Sequence, residues 1–416
     1  MLLRLTLHSL YARWLTVSLT IFAISLSLML YLSVEKIRTS AYASFTDTIS
    51  QTDLIVGSRT SSIQLLLYSV FRIGNATNNI TWESYEDIIS REEVKWSVPI
   101  SLGDSHKGFR VMGTTDEYFT RYKYRGGQSL EIQNGEHLDD LYDVVLGASV
   151  TEKLGYKIGD PLIIAHGLSS FSKHEDQPFK VSGILKKTGT PVDNTVIVSL
   201  EAIEAIHVDW SSGAKTPGLE TPIEIIRQMD LTPKNISGVL IGVNSKLQIF
   251  KLQRWVNEYS EEPLSAILPG VALQELWRVV GVVENVLIGI SIVVIFTTLI
   301  GMTAIIFSSL NERRREMAIW RAMGATPTVI LGLLMLEAFI VSFLSSVIST
   351  IFLFLLLIIL QPWIDQTYGI LISIEMFSVE ELSVFVYFIL AALLISLLPA
   401  LRAYWLSIND GMTIKI

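Results

Sequence analysis

Residues 311–327 read NERRREMAIWRAMGATP, a short charged stretch between two long apolar ones, and the reading of the whole chain turns on it. Asn311 can cap a helix opening at Glu312, because its side-chain oxygen accepts from an otherwise orphaned first-turn N–H. Gly324 can close that helix in the left-handed conformation, and Thr326 with Pro327 then supplies a second cap and a first-turn proline. The spacing therefore predicts a short helix of about three turns, carrying Glu312, Arg313, Arg314, Arg315, Glu316 and Arg321 beside Met317, Ile319, Trp320 and Met323. The charges alone suit the inner side of a membrane. A Trp and several aliphatic side chains on the same exposed helix add a surface of the kind that meets a protein partner.

Working outward, the flanking stretches decide the solvent. A spanning helix needs about 20 largely apolar residues, and four segments qualify: one ending near Val34, then 284–311, 327–360 and 382–401. Half of the 416 residues are hydrophobic and the mean hydropathy is +0.46, too apolar for a soluble globule of this length. The first segment has a signal-peptide alternative, since Ala41-Tyr42-Ala43 resembles a cleavage site. A retained anchor fits better, because its apolar run exceeds the length of a signal core and Glu35, Lys36 and Arg38 intervene.

Orientation follows from the short flanks. Arg4 and Arg13, the arginines of the 312–326 stretch, and Arg402 with Lys415 all belong to segments on one side, whereas 361–381 holds only acidic charges. Both termini and 312–326 are thus expected in the cytoplasm. The expected order is a cytoplasmic start and first span (1–34), a large outer domain (35–283), the second span (284–311), the charged helix (312–326), the third span (327–360), an outer loop (361–381), the fourth span (382–401) and a cytoplasmic tail (402–416).

The third span would be about 51 Å long as a helix against a hydrocarbon core of about 30 Å, so one end must protrude. Glu337 points to the inner end, at headgroup level, with the lipid core at about 338–359. A coupling carboxylate is the alternative role for Glu337. Ser342, Ser345, Ser346 and Ser349 make a helical stripe of small side chains suited to close packing of another helix.

The outer domain mixes strand and helix signals, hence α+β, with residues of about 101–200 forming a strand-rich insertion. Ile63 to Ile73, IQLLLYSVFRI, reads either as a buried core helix or as a hydrophobic element facing membrane or substrate. A net charge of −8 argues against nucleic acid. With no cysteine, disulfides and thiolate chemistry are excluded. The six histidines, His8, His106, His137, His166, His174 and His207, form no helical metal pair, and no GxSxG or GxxxxGK[ST] occurs. No catalytic, cofactor or metal site is expected in this chain, and nucleotide chemistry would have to come from another subunit.

The stretch NERRREMAIWRAMGA closely resembles the ERxREIAxLRAxGA signature of the FtsX-like, MacB-type permease family of ABC transporters. Val145-Leu146-Gly147, Lys153-Leu154-Gly155, Gly159-Asp160 and Phe179 to Ile184 look like that family's outer domain. The resemblance implies a porter-like part with an inserted strand-rich part, and a coupling helix whose residues Glu312, Arg313, Arg314, Arg315, Glu316, Ile319, Trp320, Arg321 and Met323 dock on an ATPase. With no GxxxxGK[ST], this sequence departs from members that carry a fused nucleotide-binding domain, so that ATPase is expected to be a separate subunit. It further implies two ATPase copies bringing ATP and Mg2+, a second permease copy in a homodimer, and residence in a bacterial inner membrane with the large domain in the periplasm. The function implied is mechanotransmission, driving export of a peptide, lipophilic compound or lipoprotein. Two alternatives stand beside it: a regulatory permease that activates a periplasmic partner such as a cell-wall hydrolase, and a membrane-anchored enzyme.

Overall fold

The computed structural model describes residues 2–48, 51–167, 174, 176–211, 214–216, 221–312, 314–368 and 379–409. They fall into two units, one built from 1–40, 281–362 and 372–416, the other from 41–280 with 363–371. Among the described residues, four helices are long and apolar enough to cross a membrane, within Trp14–Ala43, Pro269–Ser308, Pro327–Ile364 and Glu381–Trp405. The α+β domain lies between the first and second, the fold class the sequence predicts. The helices themselves run Trp14–Asp47, Pro269–Glu312, Pro327–Tyr368 and Val379–Asn409. They continue past the apolar runs because nothing in the sequence caps them at the lipid boundary. Of the expected outer loop, residues 369–378 lie outside those described, as do 410–416 of the tail.

The α+β unit is organised by one 11-stranded mixed sheet. Nine strands make its continuous path: β1 (Leu54–Ser58), β2 (Val94–His106), β3 (Phe109–Thr114), β4 (Ile132–Gly135), β5 (Asp143–Leu146), β6 (Phe179–Leu185), β7 (Thr195–Ser199), β8 (Gly238–Val243) and β9 (Leu264–Ile267). Their order is β9-β1-β8-β2-β3-β7-β5-β6-β4. Most neighbours are antiparallel, but β7 runs parallel to β3 and β6 parallel to β5. The short strands Pro161–Leu162 and Ala165–His166 join β6 and β2 from the side. Residues 101–200 thus supply β3 to β7 and the end of β2 to the same sheet as β1, β8 and β9.

Both faces of the sheet are covered, which is why its strands are apolar at successive positions. Ile55, Val145, Ile197 and Leu240 pack on one face with Leu65, Leu66 and Tyr68 of the helix Ser62–Ser69. Their neighbours Leu54, Val56, Val239 and Ile241 point the other way, onto Ile88 and Leu252 of the helices Trp82–Ile89 and Ile249–Asn257. Farther along that second face, Val144, Leu146, Val196 and Val198 meet Ala202 and Ala205 of Leu200–Ile206. The apolar run from Ile63 therefore belongs to the core: Leu65 and Leu66 are fully buried and Tyr68 nearly so.

One close approach fixes the centre of the domain. Gly147 leaves β5 and opens the helix Ala148–Leu154 against the turn Pro191–Asn194, donating its N–H to the Thr195 carbonyl at 3.0 Å. A Cβ on Gly147 would lie 2.3 Å from the Val192 carbonyl oxygen and 2.4 Å from that of Asp193, both backbone atoms. That turn cannot yield, because the Asp193 carboxylate accepts from the Thr188 and Gly189 N–H groups and the Thr188 hydroxyl. Burial pushes the Asp193 carboxyl upward while those donors pull it back. Gly147→Ala is therefore expected to destabilise the protein by about 1–3 kcal/mol through overpacking. Thermal unfolding checks it against Gly103→Ala, where a Cβ meets nothing; equal melting temperatures would refute the account.

Candidate functional site

The short charged helix runs Arg314–Ala322, directly after the end of Pro269–Glu312. It stops where the sequence says it should. Gly324 sits at φ +95°, its N–H donates to the Arg321 carbonyl, and the Ala325 N–H reaches back to Trp320, each at 3.0 Å. These two bonds make a Schellman cap, which serves the last carbonyls of the helix and requires a left-handed residue. The next helix then begins at Pro327.

Among the described side chains of this helix, buried and exposed positions alternate in the helical sense. Met317 is buried, and the helix packs against Val379–Asn409. Ile319 is 59% and Met323 74% exposed, while Trp320 and Arg321 are half-buried. Arg321 also donates to the Ala325 carbonyl at 3.4 Å, a cation serving the end of its own helix. The side chains of Glu312, Arg314, Arg315 and Glu316 lie outside the described residues, and Arg313 does so entirely.

Polar contacts tie the spanning helices together. Arg13 Nη2 lies 2.6 Å from Glu337 Oε1, with the two side chains 19% and 6% exposed. Around them Thr16, Val17 and Thr20 of the first helix face Met302, Ile305 and Ile306 of the second and Ala338 and Val341 of the third, lining a narrow, mostly apolar pocket. Nothing in the sequence marks Arg13 as the partner of Glu337, 324 positions away. Ser342, Ser345, Ser346 and Ser349 are all buried. At the centre of that row Ser25 Oγ is 3.1 Å from the Ser345 carbonyl oxygen, a backbone approach that small side chains permit. Ser27 meets Thr298 of the second helix at 2.8 Å, Phe22 meets Phe352 edge-on, and Lys36 pairs with Glu381 of the fourth helix at 3.2 Å. None of these long-range pairs has a sequence-local signal.

Four spanning helices, a large α+β domain after the first and a capped charged helix between the second and third define a multi-pass membrane protein. The MacB-like periplasmic core domain matches residues 17–226 and the FtsX-like permease C-terminal domain residues 288–408. The chain belongs to this MacB/FtsX family of ABC transporter permeases. It is similar to an uncharacterized ABC transporter permease of Methanocaldococcus jannaschii, 23% identical over 214 residues, or 50% of this chain and 47% of that protein. The chain thus spans about half the length of this curated relative. The periplasmic region of MacB from Actinobacillus actinomycetemcomitans is 11% identical, with 56% of this chain and 94% of that one covered and a TM-score of 0.35. The extracellular domain of the noncanonic ABC-type transporter YknZ from Gram-positive bacteria is 16% identical, with 52% and 99% covered and a TM-score of 0.30.

The Arg13–Glu337 pair yields a direct expectation. Removing one member leaves a largely buried charge without its counter-ion, so Glu337→Ala should cost about 3 kcal/mol or more. Arg13→Met combined with Glu337→Met should recover most of that loss, since breaking a pair costs more than replacing it. Thermal unfolding in detergent reads both, and strictly additive losses would show that the contact does not carry the effect.

Proposed function

We propose that this chain is the membrane subunit of a transporter powered by a separate ATPase, with the helix Arg314–Ala322 as the element that seats in that ATPase. What carries the reading is the combination at one place: a helix bounded by a Schellman turn, buried through Met317, with Ile319 and Met323 left outward beside a family signature. Charged residues alone would serve only topology. Exposed aliphatic side chains on a rigid, charged helix give a partner both a pocket-filling anchor and a steering field.

In this reading two permease copies work with two ATPase subunits that bring ATP and Mg2+, and the chain itself performs no catalysis. The 312–326 segment faces the cytoplasm, and the α+β domain lies on the opposite side of the cytoplasmic membrane. ATP-driven closure of the ATPases moves the short helix, the spanning helices follow, and the outer domain changes conformation. The work done is extrusion of a peptide, lipophilic compound or lipoprotein.

The test uses the full chain co-purified with its candidate ATPase in nanodiscs. Arg321→Glu and Met323→Asp should each lower permease-stimulated ATP turnover at least about tenfold, the loss of one anchor of about 1.4 kcal/mol, while membrane insertion stays normal. Unchanged turnover with unchanged co-purification would remove the docking role. Sidedness is separately accessible, because the chain has no cysteine. Single-cysteine variants at Met323 and Gly103 should react with an impermeant thiol reagent from opposite sides, and reaction from one side would overturn the arrangement.

A further inference from the structure

Four chemically reactive side chains of the α+β unit converge at a point that the transport reading does not use. Asp104, His166, His174 and His207 each present one ligand atom, and these four atoms all lie within 4.8 Å of one another. Each comes from a different part of the fold. Asp104 sits in a bulge of β2, where the register to β3 shifts between Leu102 and Ser105, and bulges re-aim side chains in this way. His166 is its direct cross-strand partner on the short strand Ala165–His166. His207 caps the carboxyl end of Leu200–Ile206, and His174 is held by its backbone N–H on the Ile164 carbonyl.

Three of the four atoms stand close to the spacing of a coordination polyhedron, and the fourth lies within 4.8 Å of each. His166 Nδ1 is 3.2 Å from Asp104 Oδ1 and 3.3 Å from His207 Nε2, and His207 Nε2 is 3.9 Å from Asp104 Oδ1. Zinc takes imidazole nitrogen and carboxylate oxygen at about 2.0–2.2 Å in a tetrahedron, whose edges are then about 3.3–3.6 Å. The outer contact is also in place. His207 Nδ1 lies 2.6 Å from the Ile203 carbonyl oxygen, which can only accept, so that nitrogen carries the proton and the lone pair of Nε2 faces the cluster.

Hydrogen bonding within the cluster leaves groups unserved. His166 Nδ1 has one proton at most to offer, yet both Asp104 Oδ1 and His207 Nε2 stand beside it. Both ring nitrogens of His174 are buried with no hydrogen-bond partner among the described residues, and Asp104 Oδ1 has only the shared His166 Nδ1 beside it at 3.2 Å, a condition folded proteins avoid. A cation at the centre would serve all four groups together.

We propose that Asp104, His166, His174 and His207 form a closed four-ligand site for a divalent transition metal, with Zn2+ as the ion. Three imidazoles and one carboxylate select against Mg2+ and Ca2+, which take oxygen ligands. Four protein ligands leave no open position, as in structural rather than catalytic zinc sites. The ion would pin the carboxyl end of Leu200–Ile206, the bulge of β2 and His174 to one another. His166 and His207 keep 39% and 27% of their side chains exposed, which gives the ion an entry path from solvent.

The test is a titration of the full-length chain in detergent, stripped with a chelator, with Zn2+ in competition against a fluorescent zinc indicator. Wild type should take up about one tight equivalent per chain. His174→Ala and Asp104→Ala should each weaken it by more than about tenfold, the cost of losing even a ligand-supporting contact, whereas His137→Gln, outside the cluster, should change nothing. Co2+ in place of Zn2+ should give the intense visible absorption of a tetrahedral site. Absence of a tight equivalent in wild type, uptake insensitive to the cluster variants, or a weak octahedral Co2+ spectrum would each overturn the proposal. The wild-type titration and spectrum decide even where a variant fails to fold.

Discussion

In hydrocarbon a backbone amide has no water to turn to, and the membrane unit is shaped by that single restriction. It forces the apolar segments into unbroken helices and favours hydroxyls that find an acceptor close by. Thr20, Ser25, Ser27 and Ser33 of the first helix each donate to the carbonyl four residues earlier. Ser345 and Ser346 of the third do the same. Satisfied in this way, small polar residues cost little in lipid and keep their chief advantage, which is size. The Ser25–Ser345 approach depends on both. The ion pair Arg13–Glu337 follows the same logic at higher stakes, since two largely buried charges satisfy each other.

The α+β unit solves a different problem. Its sheet must be buried on both faces, so alternate residues of β1, β8, β5 and β7 enter two separate cores, and helices close each side. Where backbone meets backbone with no space between, glycine is the only solution. Gly147 against the 191–194 turn is such a place, and the buried Asp193 carboxylate below it holds the turn in shape.

Much of this was legible in the sequence wherever the cause is local. Hydrophobic run length located the spans, and Gly324, Thr326 and Pro327 located the reversal between second and third, because caps act within a few residues. The Ile63–Ile73 run stayed open between core and surface in the sequence, since both need an apolar helix and only the surrounding strands decide. Contacts made across the fold left no trace: nothing around Glu337 pointed to Arg13, and the serine row suggested a packing face but not Ser25. The same holds for Asp104, His166, His174 and His207, whose spacing matches no metal motif and pointed to no site. Pairing of β2 with the short strand Ala165–His166, the bulge at Asp104 and the end of Leu200–Ile206 bring them together.

The reversal after Ala322 also sets how much slack the chain has there. Only four residues separate the end of Arg314–Ala322 from Pro327, and the N–H groups of three of them, Met323, Gly324 and Ala325, are tied back into the preceding helix. A linker that brief, with its glycine locked in one basin, behaves as a rigid elbow and not as a swivel. Tugging on one arm must therefore turn the other, with no spare length in which the displacement could be lost.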